Sequence, residues 1–131
     1  MFLLDSNVCI RLINKSSAQL ETNFKQRPPS AIYLSAVVKA ELLYGAHHSQ
    51  RAAQNLRLLE QFFAPFPSLP FDDACAEIYG RIRHELAAAG TPIGPNDLLI
   101  AATAIANKLT LVTYNTREFR RGIGLQLVDW D

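Results

Sequence analysis

The amino-acid sequence predicts an α/β fold, a three-layer sandwich with a mostly parallel central sheet of four to five strands and helices on both faces. Two observations support this class. Short apolar runs alternate with longer stretches of helical periodicity, and each apolar run is bounded by turn-forming residues or by the start of a helix. Parallel strands require crossover connections, usually helices, which cover the sheet on both sides. We expect the 131 residues to form a single domain, 1–131.

The elements are predicted in chain order from apolar patterning and from helix start and stop signals. The predicted strands are 2–5, 32–34, 67–70, 110–113 and 126–128. The predicted helices are 6–14, 17–26, 36–47, 50–63, 72–89 and 96–107, with a short helical turn near 116–120. Gly90 suits the end of the fifth long helix. Pro92, Gly94 and Pro95 then disfavour helix until Asn96.

Composition limits the function classes. The 13 basic and 12 acidic residues nearly cancel, so overall charge gives no argument for a nucleic-acid partner. Residues 1–4 run directly into Asp5 without a basic segment, which argues against a signal peptide, and no apolar run approaches the ~20 residues of a membrane span. We therefore expect a cytoplasmic protein. Cys9 and Cys75 both lie in apolar surroundings, which predicts buried, reduced thiols rather than a disulfide.

Three carboxylates occupy positions where apolar residues are expected. Asp5 ends an apolar strand, Glu41 interrupts an apolar helix, and Asp97 opens another. Burying an ionised carboxylate without a partner is unfavourable, and no Lys or Arg stands at a matching apolar position. The pattern therefore indicates a site for a divalent cation, Mg²⁺ or Mn²⁺, since hard cations prefer carboxylate oxygens.

The predicted architecture brings these acids toward one edge of the sheet. Asp5 stands at the carboxyl end of the first strand, where ligand sites form in open α/β sheets. Asp97 lies in the first turn of its helix, whose dipole favours negative charge. Glu41 follows Val37 and Val38 by four and three residues, so it shares their inward face. Like charges gathered in a cleft raise one another's pKa, and a cation relieves that conflict.

Each acid also has a purely structural interpretation. Asp5 would serve as the N-cap of the first helix, and Asp97 would cap or charge-complement its own helix. Glu41 would be a partly exposed residue or the partner of an Arg or Lys. These alternatives require three independent coincidences.

Five segments of the chain, in order, resemble PIN-domain ribonucleases of the VapC toxin type. The segments are 2–8 (FLLDSNV), 35–46 (SAVVKAELLYGA), 92–102 (PIGPNDLLIAA), 111–119 (LVTYNTREF) and the closing strand 124–130 (GLQLVDW). Two departures stand out. Ser6 replaces the commoner Thr but keeps a hydroxyl, and Asn115 stands where many relatives carry a fourth acid. In some relatives the place of Glu118 supplies that acid, so Asn115 and Glu118 remain alternatives.

The resemblance implies a PIN fold and a metal-dependent endoribonuclease toxin that hydrolyses phosphodiester bonds in RNA, with structured, tRNA-like or single-stranded loop targets. It implies that Asp5, Glu41 and Asp97 are catalytic and hold Mg²⁺ or Mn²⁺, with Glu118 as a further ligand. The residues expected to orient the carboxylates and waters are Ser6, Asn7, Thr113 and Asn115.

Substrate and partner contacts are predicted with less detail. The basic residues in or near the motifs that are expected to contact RNA phosphates are Arg117, Arg120, Arg121, Arg11 and Lys39. Tyr44 and Tyr114 either stack on unpaired bases or pack in the core or at its rim. The resemblance also implies a cognate VapB-like antitoxin over the active-site cleft, and a homodimer. The apolar helix faces in 10–24 and 56–63 form the antitoxin groove or part of the core.

Two other functions compete with the nuclease. A catalytically idle PIN-like module would bind RNA or a partner without cutting, and Asn115 favours it slightly. A phospho-acceptor signalling domain also places acids at strand ends. That design needs a Lys after a later strand, whereas the 110–113 strand is followed by Tyr114 and Asn115.

Overall fold

The computed structural model describes all residues 1–131 and contains five strands and seven α-helices. The strands are β1 (Phe2–Leu4), β2 (Ile32–Ser35), β3 (Ser68–Leu69), β4 (Thr110–Val112) and β5 (Leu127–Val128). The helices are α1 (Ser6–Ile13), α2 (Ala18–Lys25), α3 (Ala36–His47), α4 (Ala52–Phe63), α5 (Asp73–Ala88), α6 (Pro95–Ala106) and α7 (Thr116–Phe119). Every predicted element is present at its predicted place. The first strand ends one residue earlier than predicted, because Asp5 caps α1.

The five strands form one parallel sheet in the order β3-β2-β1-β4-β5. The chain builds outward from central β1 through β2 to β3, and then crosses back to β4 and β5 on the other side. The strand order therefore reverses between β1 and β4, whose registers pair Leu4 with Val112. In open parallel sheets this reversal point opens a crevice outside the carboxyl ends of the strands.

Both faces of the sheet are covered. Leu3 and Leu4 are each fully buried, as are Leu111 and Val112. Successive side chains of a strand point to opposite faces, so burial of consecutive residues means that helices pack on both sides. This confirms the predicted fold class.

Helix α6 is the most buried helix and positions one end of the crevice. Its residues 100–104 are all shielded from solvent, and small alanines at Ala101, Ala102 and Ala104 allow close packing against α5. The helix precedes β4 and runs back across the sheet, so its first turn lies at the carboxyl edge. The well-packed environment leaves Asp97, in that first turn, little freedom to move away from β1.

The segment 129–131 ties α1 and α2 to the sheet. Trp130 is buried against Phe2, with ring centroids 5.0 Å apart, and the Arg27 guanidinium lies 4.4 Å from the Trp130 ring centroid. The Asn23 side-chain amide donates to the Trp130 carbonyl at 2.7 Å. These contacts anchor α2, and the ion pair between Arg11 and Asp131 anchors α1.

The thiols of Cys9 and Cys75 are both free and buried, which confirms the cysteine prediction. No helix of the chain is both long enough and apolar enough to span a bilayer.

Candidate active site

Asp5 is a buried carboxylate at the carboxyl end of the central strand. Only 4% of the residue is exposed, and its Oδ1 accepts a hydrogen bond from the Val8 amide at 2.8 Å. The residue is therefore the N-cap of α1, as the structural interpretation predicted, and it faces the crevice as well. Burial raises the pKa of Asp5, and the Glu41 charge adds to that, while the Thr113 hydroxyl and the Val8 amide act in the opposite direction.

Glu41 approaches Asp5 from the second side of the crevice. It is half-buried in α3, and its Oε1 accepts a hydrogen bond from the Ser6 hydroxyl at 2.8 Å. Ser6 immediately follows Asp5, so this bond joins the first two motifs. None of the three salt bridges in the structure involves Glu41, which excludes the predicted alternative of an Arg or Lys partner.

Asp97 approaches from the third side, in the first turn of α6. The pKa of Asp97 is raised to about 6, because the carboxyl is partly buried and because Glu118, Asp5 and Glu41 each add negative charge nearby. The structure thus brings all three predicted acids, and Glu118, into one electrostatic environment. This coupling is the observation that distinguishes a shared site from three separate helix caps.

Glu118 and Asn115 form a pair on the loop and helix after β4. The Asn115 side-chain amide donates to Glu118 Oε2 at 2.5 Å, and the Gly94 amide approaches Oε1 at 3.5 Å. Glu118 is the charged group with the largest effect on the pKa of Asp97. Asn115 therefore positions Glu118, and Glu118 is the carboxylate that the fourth motif brings toward Asp97.

Of the four residues predicted to orient the carboxylates, three contact an acid of the site through their side chains and one does so only through its backbone. Ser6 contacts Glu41, and Asn115 contacts Glu118. Thr113 is buried beside Asp5, and its hydroxyl accepts a hydrogen bond from the backbone N–H of Asn115 at 3.0 Å. The side chain of Asn7 is exposed, and only its backbone amide affects Asp5.

The donor set fits a hard divalent cation in its chemistry. Three carboxylates lie close enough to Asp97 to raise its pKa, and no Lys or Arg forms an ion pair with any of the four. No three of the His, Cys, Asp and Glu side chains stand close enough together to hold a metal ion between them as they are arranged here. Each acid except Asp97 instead accepts a hydrogen bond from a neighbouring N–H or O–H group. These hydrogen bonds partly compensate the cost of holding several negative charges close together. The metal-ligand set therefore stays a prediction.

The predicted RNA-contacting residues fall into two groups. Arg117 and Arg120 on and just after α7 are exposed and form no ion pair. The other three have partners within the chain: Arg121 donates to the Pro92 carbonyl at 3.0 Å, Arg11 pairs with Asp131, and Lys39 lies 5.2 Å from the Phe63 ring centroid.

An apolar cleft of about 260 Å³ opens between α1, α3 and α4, with Glu41 in its wall. Of the predicted groove residues, Ile10, Ile13, Leu58 and Leu59 line it. The remaining residues of the two predicted faces pack in or against the core. Six lining residues were not predicted as groove residues, namely Asn14, Glu41, Leu42, Gly45, Ala46 and Asn55. Gly45 had a detectable signal, because a glycine inside a helical pattern calls for a packing or ligand-related reason.

Comparison with known proteins agrees with this geometry. A family model described as the PIN domain matches residues 2–123. The tRNA(fMet)-specific endonuclease VapC of Shigella flexneri is 41% identical over 129 residues, covering 98% of this chain and 97% of that protein. Ribonuclease VapC2 of Rickettsia felis is 39% identical over 132 residues, covering 100% of this chain and 98% of that protein.

A solved structure shares the fold over nearly the whole chain. The crystal structure of DNA-bound VapBC from Salmonella typhimurium superposes with a TM-score of 0.93 at 37% identity, covering 99% of this chain and 98% of that chain. The family model, the two relatives and the solved structure all indicate the same family. The chain therefore belongs to the PIN domain family, and within it to the VapC ribonucleases.

Proposed function

We propose that this protein is a Mg²⁺- or Mn²⁺-dependent endoribonuclease toxin, folded as a single PIN domain over 1–131 and acting in the cytoplasm, where its RNA substrate is. The observation that carries the catalytic proposal is the electrostatic coupling of Asp97 to Asp5, Glu41 and Glu118, with no basic partner for any of the four. Uncompensated carboxylates at the carboxyl edge of a parallel sheet are the arrangement that metal-dependent phosphodiester hydrolysis needs.

In this proposal Asp5, Asp97 and Glu41 hold the cation, with Glu118 as the fourth carboxylate. The bound metal would lower the pKa of a coordinated water and offset charge on the phosphate. The chain's own contribution is positioning. The Ser6 hydroxyl holds Glu41, and the Asn115 amide holds Glu118.

We propose a structured, tRNA-like RNA as the substrate. The support is the similarity to a relative that is a tRNA(fMet)-specific endonuclease. Arg117 and Arg120 are the basic residues best placed for phosphate contacts, because both are exposed, neither is neutralised by a carboxylate, and both lie within two residues of Glu118 in sequence.

A VapB-like antitoxin is the proposed inhibitor, and the cleft between α1, α3 and α4 is its proposed docking site. Similarity to the VapBC structure supports the partner. The cleft has mostly apolar walls and Glu41 at its edge, so it suits a segment that presents apolar side chains and one basic group. A polyanionic RNA would be disfavoured there.

We also propose that the protein is a homodimer.

The decisive experiment is cleavage of end-labelled total RNA by the purified protein, freed of antitoxin, with Mg²⁺, with Mn²⁺ and with EDTA. Discrete products should require metal and disappear in Asp97→Asn. The matched control is Glu77→Gln, which removes an exposed carboxylate from α5 and should cut normally.

The idle RNA- or partner-binding module remains the second candidate. It is favoured by Asn115 in the place of an acid and by the absence of three acidic side chains arranged to hold one ion. If a thermal-shift assay shows that the wild type binds Mg²⁺ or Mn²⁺ but no RNA is cut, the idle module replaces the nuclease.

A further inference from the structure

Two tyrosines that stand close in sequence to the residues of the site are exposed to solvent. Tyr44 is 68% exposed and Tyr114 is 44% exposed, whereas most of the large apolar side chains of the chain are buried or half-buried. Neither ring therefore lies in the core, and packing at its rim stays the alternative to base stacking. Single exposed apolar side chains are common, but tyrosine is enriched at interfaces, where one end of the side chain packs and the other meets water.

Tyr44 is held in a defined orientation. Its ring stacks on His48, one turn further along α3, with centroids 5.5 Å apart and an interplanar angle of 14°. One ring face is thus covered and the other is open. In an ideal helix Glu41, Tyr44 and His48 share one face, about 4.5 Å and about 10.5 Å apart along the axis from Glu41. The stack therefore extends directly away from the carboxylates.

Tyr114 has a similar arrangement on the strand-end side. It lies between Thr113, which contacts Asp5, and Asn115, which holds Glu118. The Arg11 guanidinium lies 5.0 Å from the Tyr114 ring centroid and is itself fixed by its ion pair with Asp131. A planar cation thus covers part of one face and leaves the ring otherwise accessible.

The charge near both tyrosines suits a polyanion. Arg51 follows the Tyr44–His48 stack by three residues, and Arg117 and Arg120 follow Tyr114. All three arginines are exposed and free of ion pairs. Each exposed ring is therefore followed in sequence, within three to seven residues, by an arginine that forms no ion pair and can bind a phosphate.

We propose that Tyr44 and Tyr114 are stacking platforms for unpaired nucleobases of RNA, one on each side of the phosphate on which the carboxylates act. This inference rests on the proposed ribonuclease function and adds how the substrate is held. Base stacking on an aromatic ring tolerates any base and requires that the base be unpaired. The platforms would therefore act on the single-stranded loop RNA that the family resemblance already implies.

A protein occupant is less favoured at Tyr44. The apolar cleft is lined by Glu41, Leu42, Gly45 and Ala46 from α3, but not by Tyr44. A peptide that fills the cleft therefore does not need the Tyr44 ring, whereas a base stacked on the open face does.

Binding of two short RNAs tests the platforms. The parent protein carries Asp97→Asn so that nothing is cut, and the probes are fluorescein-labelled 12-nucleotide oligoadenylate and an abasic ribose-phosphate oligomer of equal length. Tyr44→Ala and Tyr114→Ala should each weaken oligoadenylate binding about tenfold and leave abasic binding unchanged. Tyr44→Trp should keep the affinity. The matched control Leu43→Ala, an exposed neighbour on α3, should have no effect.

Three results would overturn the proposal. These are equal losses for both oligomers, unchanged oligoadenylate binding in the alanine variants, or a parent protein that does not distinguish the oligomers. If Tyr44→Ala weakens only binding of the antitoxin, the surface belongs to a protein partner. Cleavage of total RNA by the wild type decides the proposed function separately, so the platforms can fail while the nuclease stands.

Discussion

The pKa of Asp97 depends on its burial and on each of the other three carboxylates of the site. Its position in the first turn of α6 would favour ionisation, yet its pKa is raised to about 6 because desolvation and three neighbouring carboxylates outweigh the helix dipole. The unfolded chain releases this proton near the ordinary value of 3.8. Between these two values the folded state binds more protons, so its stability falls as pH rises.

We predict that Asp97→Asn stabilises the metal-free protein by about 1–2 kcal/mol at pH 7.5, a figure discounted for the partial exposure of the carboxyl. The gain should be complete above about pH 7 and vanish below about pH 3, where the wild-type carboxyl is neutral in both the folded and the unfolded state. Urea unfolding in EDTA at several pH values measures it. Asp73→Asn, which removes a first-turn carboxylate from α5, is the control and should not stabilise. A destabilised Asp97→Asn at pH 7.5 would make the acid structural.

Glu118 is the neighbour with the largest charge effect on Asp97. We predict that Glu118→Gln lowers the pKa of Asp97 from about 6 toward its ordinary range, because the amide removes the charge but keeps the shape. A carboxyl-carbon NMR titration of Asp97 measures the shift. Glu85→Gln, which removes a carboxylate paired with Arg81 on α5, should leave the titration unchanged. An unaltered midpoint in Glu118→Gln would separate Glu118 from the site.

Helix α3 contributes to both the site and the cleft, and its sequence shows a conflict with helix propensity. Gly45 lies inside the helix with an ordinary backbone, and a Cβ added there would meet nothing within 4 Å. Glycine in a helix interior is unfavourable by about 1 kcal/mol relative to Ala. Gly45 lines the cleft, so close approach of the proposed antitoxin would account for the missing side chain.

We predict that Gly45→Ala raises the free energy of unfolding by about 0.5–1 kcal/mol and weakens binding of a VapB-like antitoxin. Chemical denaturation and calorimetric titration measure the two effects. Gly80→Ala is the matched control, because Gly80 also lies in a helix with open space around it but not in the cleft. It should stabilise the protein equally and leave antitoxin binding intact. Tight antitoxin binding by Gly45→Ala would mean that the cleft needs no close approach at this residue.

At the scale of the whole molecule, the acids connect elements far apart in sequence. Asp5 follows β1, Glu41 lies in α3, Asp97 begins α6 and Glu118 lies in α7. Any ligand that neutralises them together must stabilise the assembled fold, since the unfolded chain has no such site.

We predict that Mg²⁺ or Mn²⁺ stabilises the wild type against thermal unfolding by about 2.7 kcal/mol at a concentration one hundred times its Kd. The shift should be lost in Asp5→Asn and kept in Glu77→Gln, an exposed change outside the site. Differential scanning calorimetry across a metal titration measures it. Equal shifts in the wild type and Asp5→Asn would place the metal elsewhere.

The amino-acid sequence by itself determined the element order, the fold class and the three unusual carboxylates. These properties are encoded locally, in the apolar period of each segment and in caps such as Asp5 before α1. Only the tertiary structure decided which groups meet. It brought Glu118 toward Asp97, paired Arg11 with Asp131, and left Tyr44 and Tyr114 open to solvent. Those outcomes depend on how helices from distant parts of the chain pack across a sheet of order β3-β2-β1-β4-β5, and no local pattern carries that information.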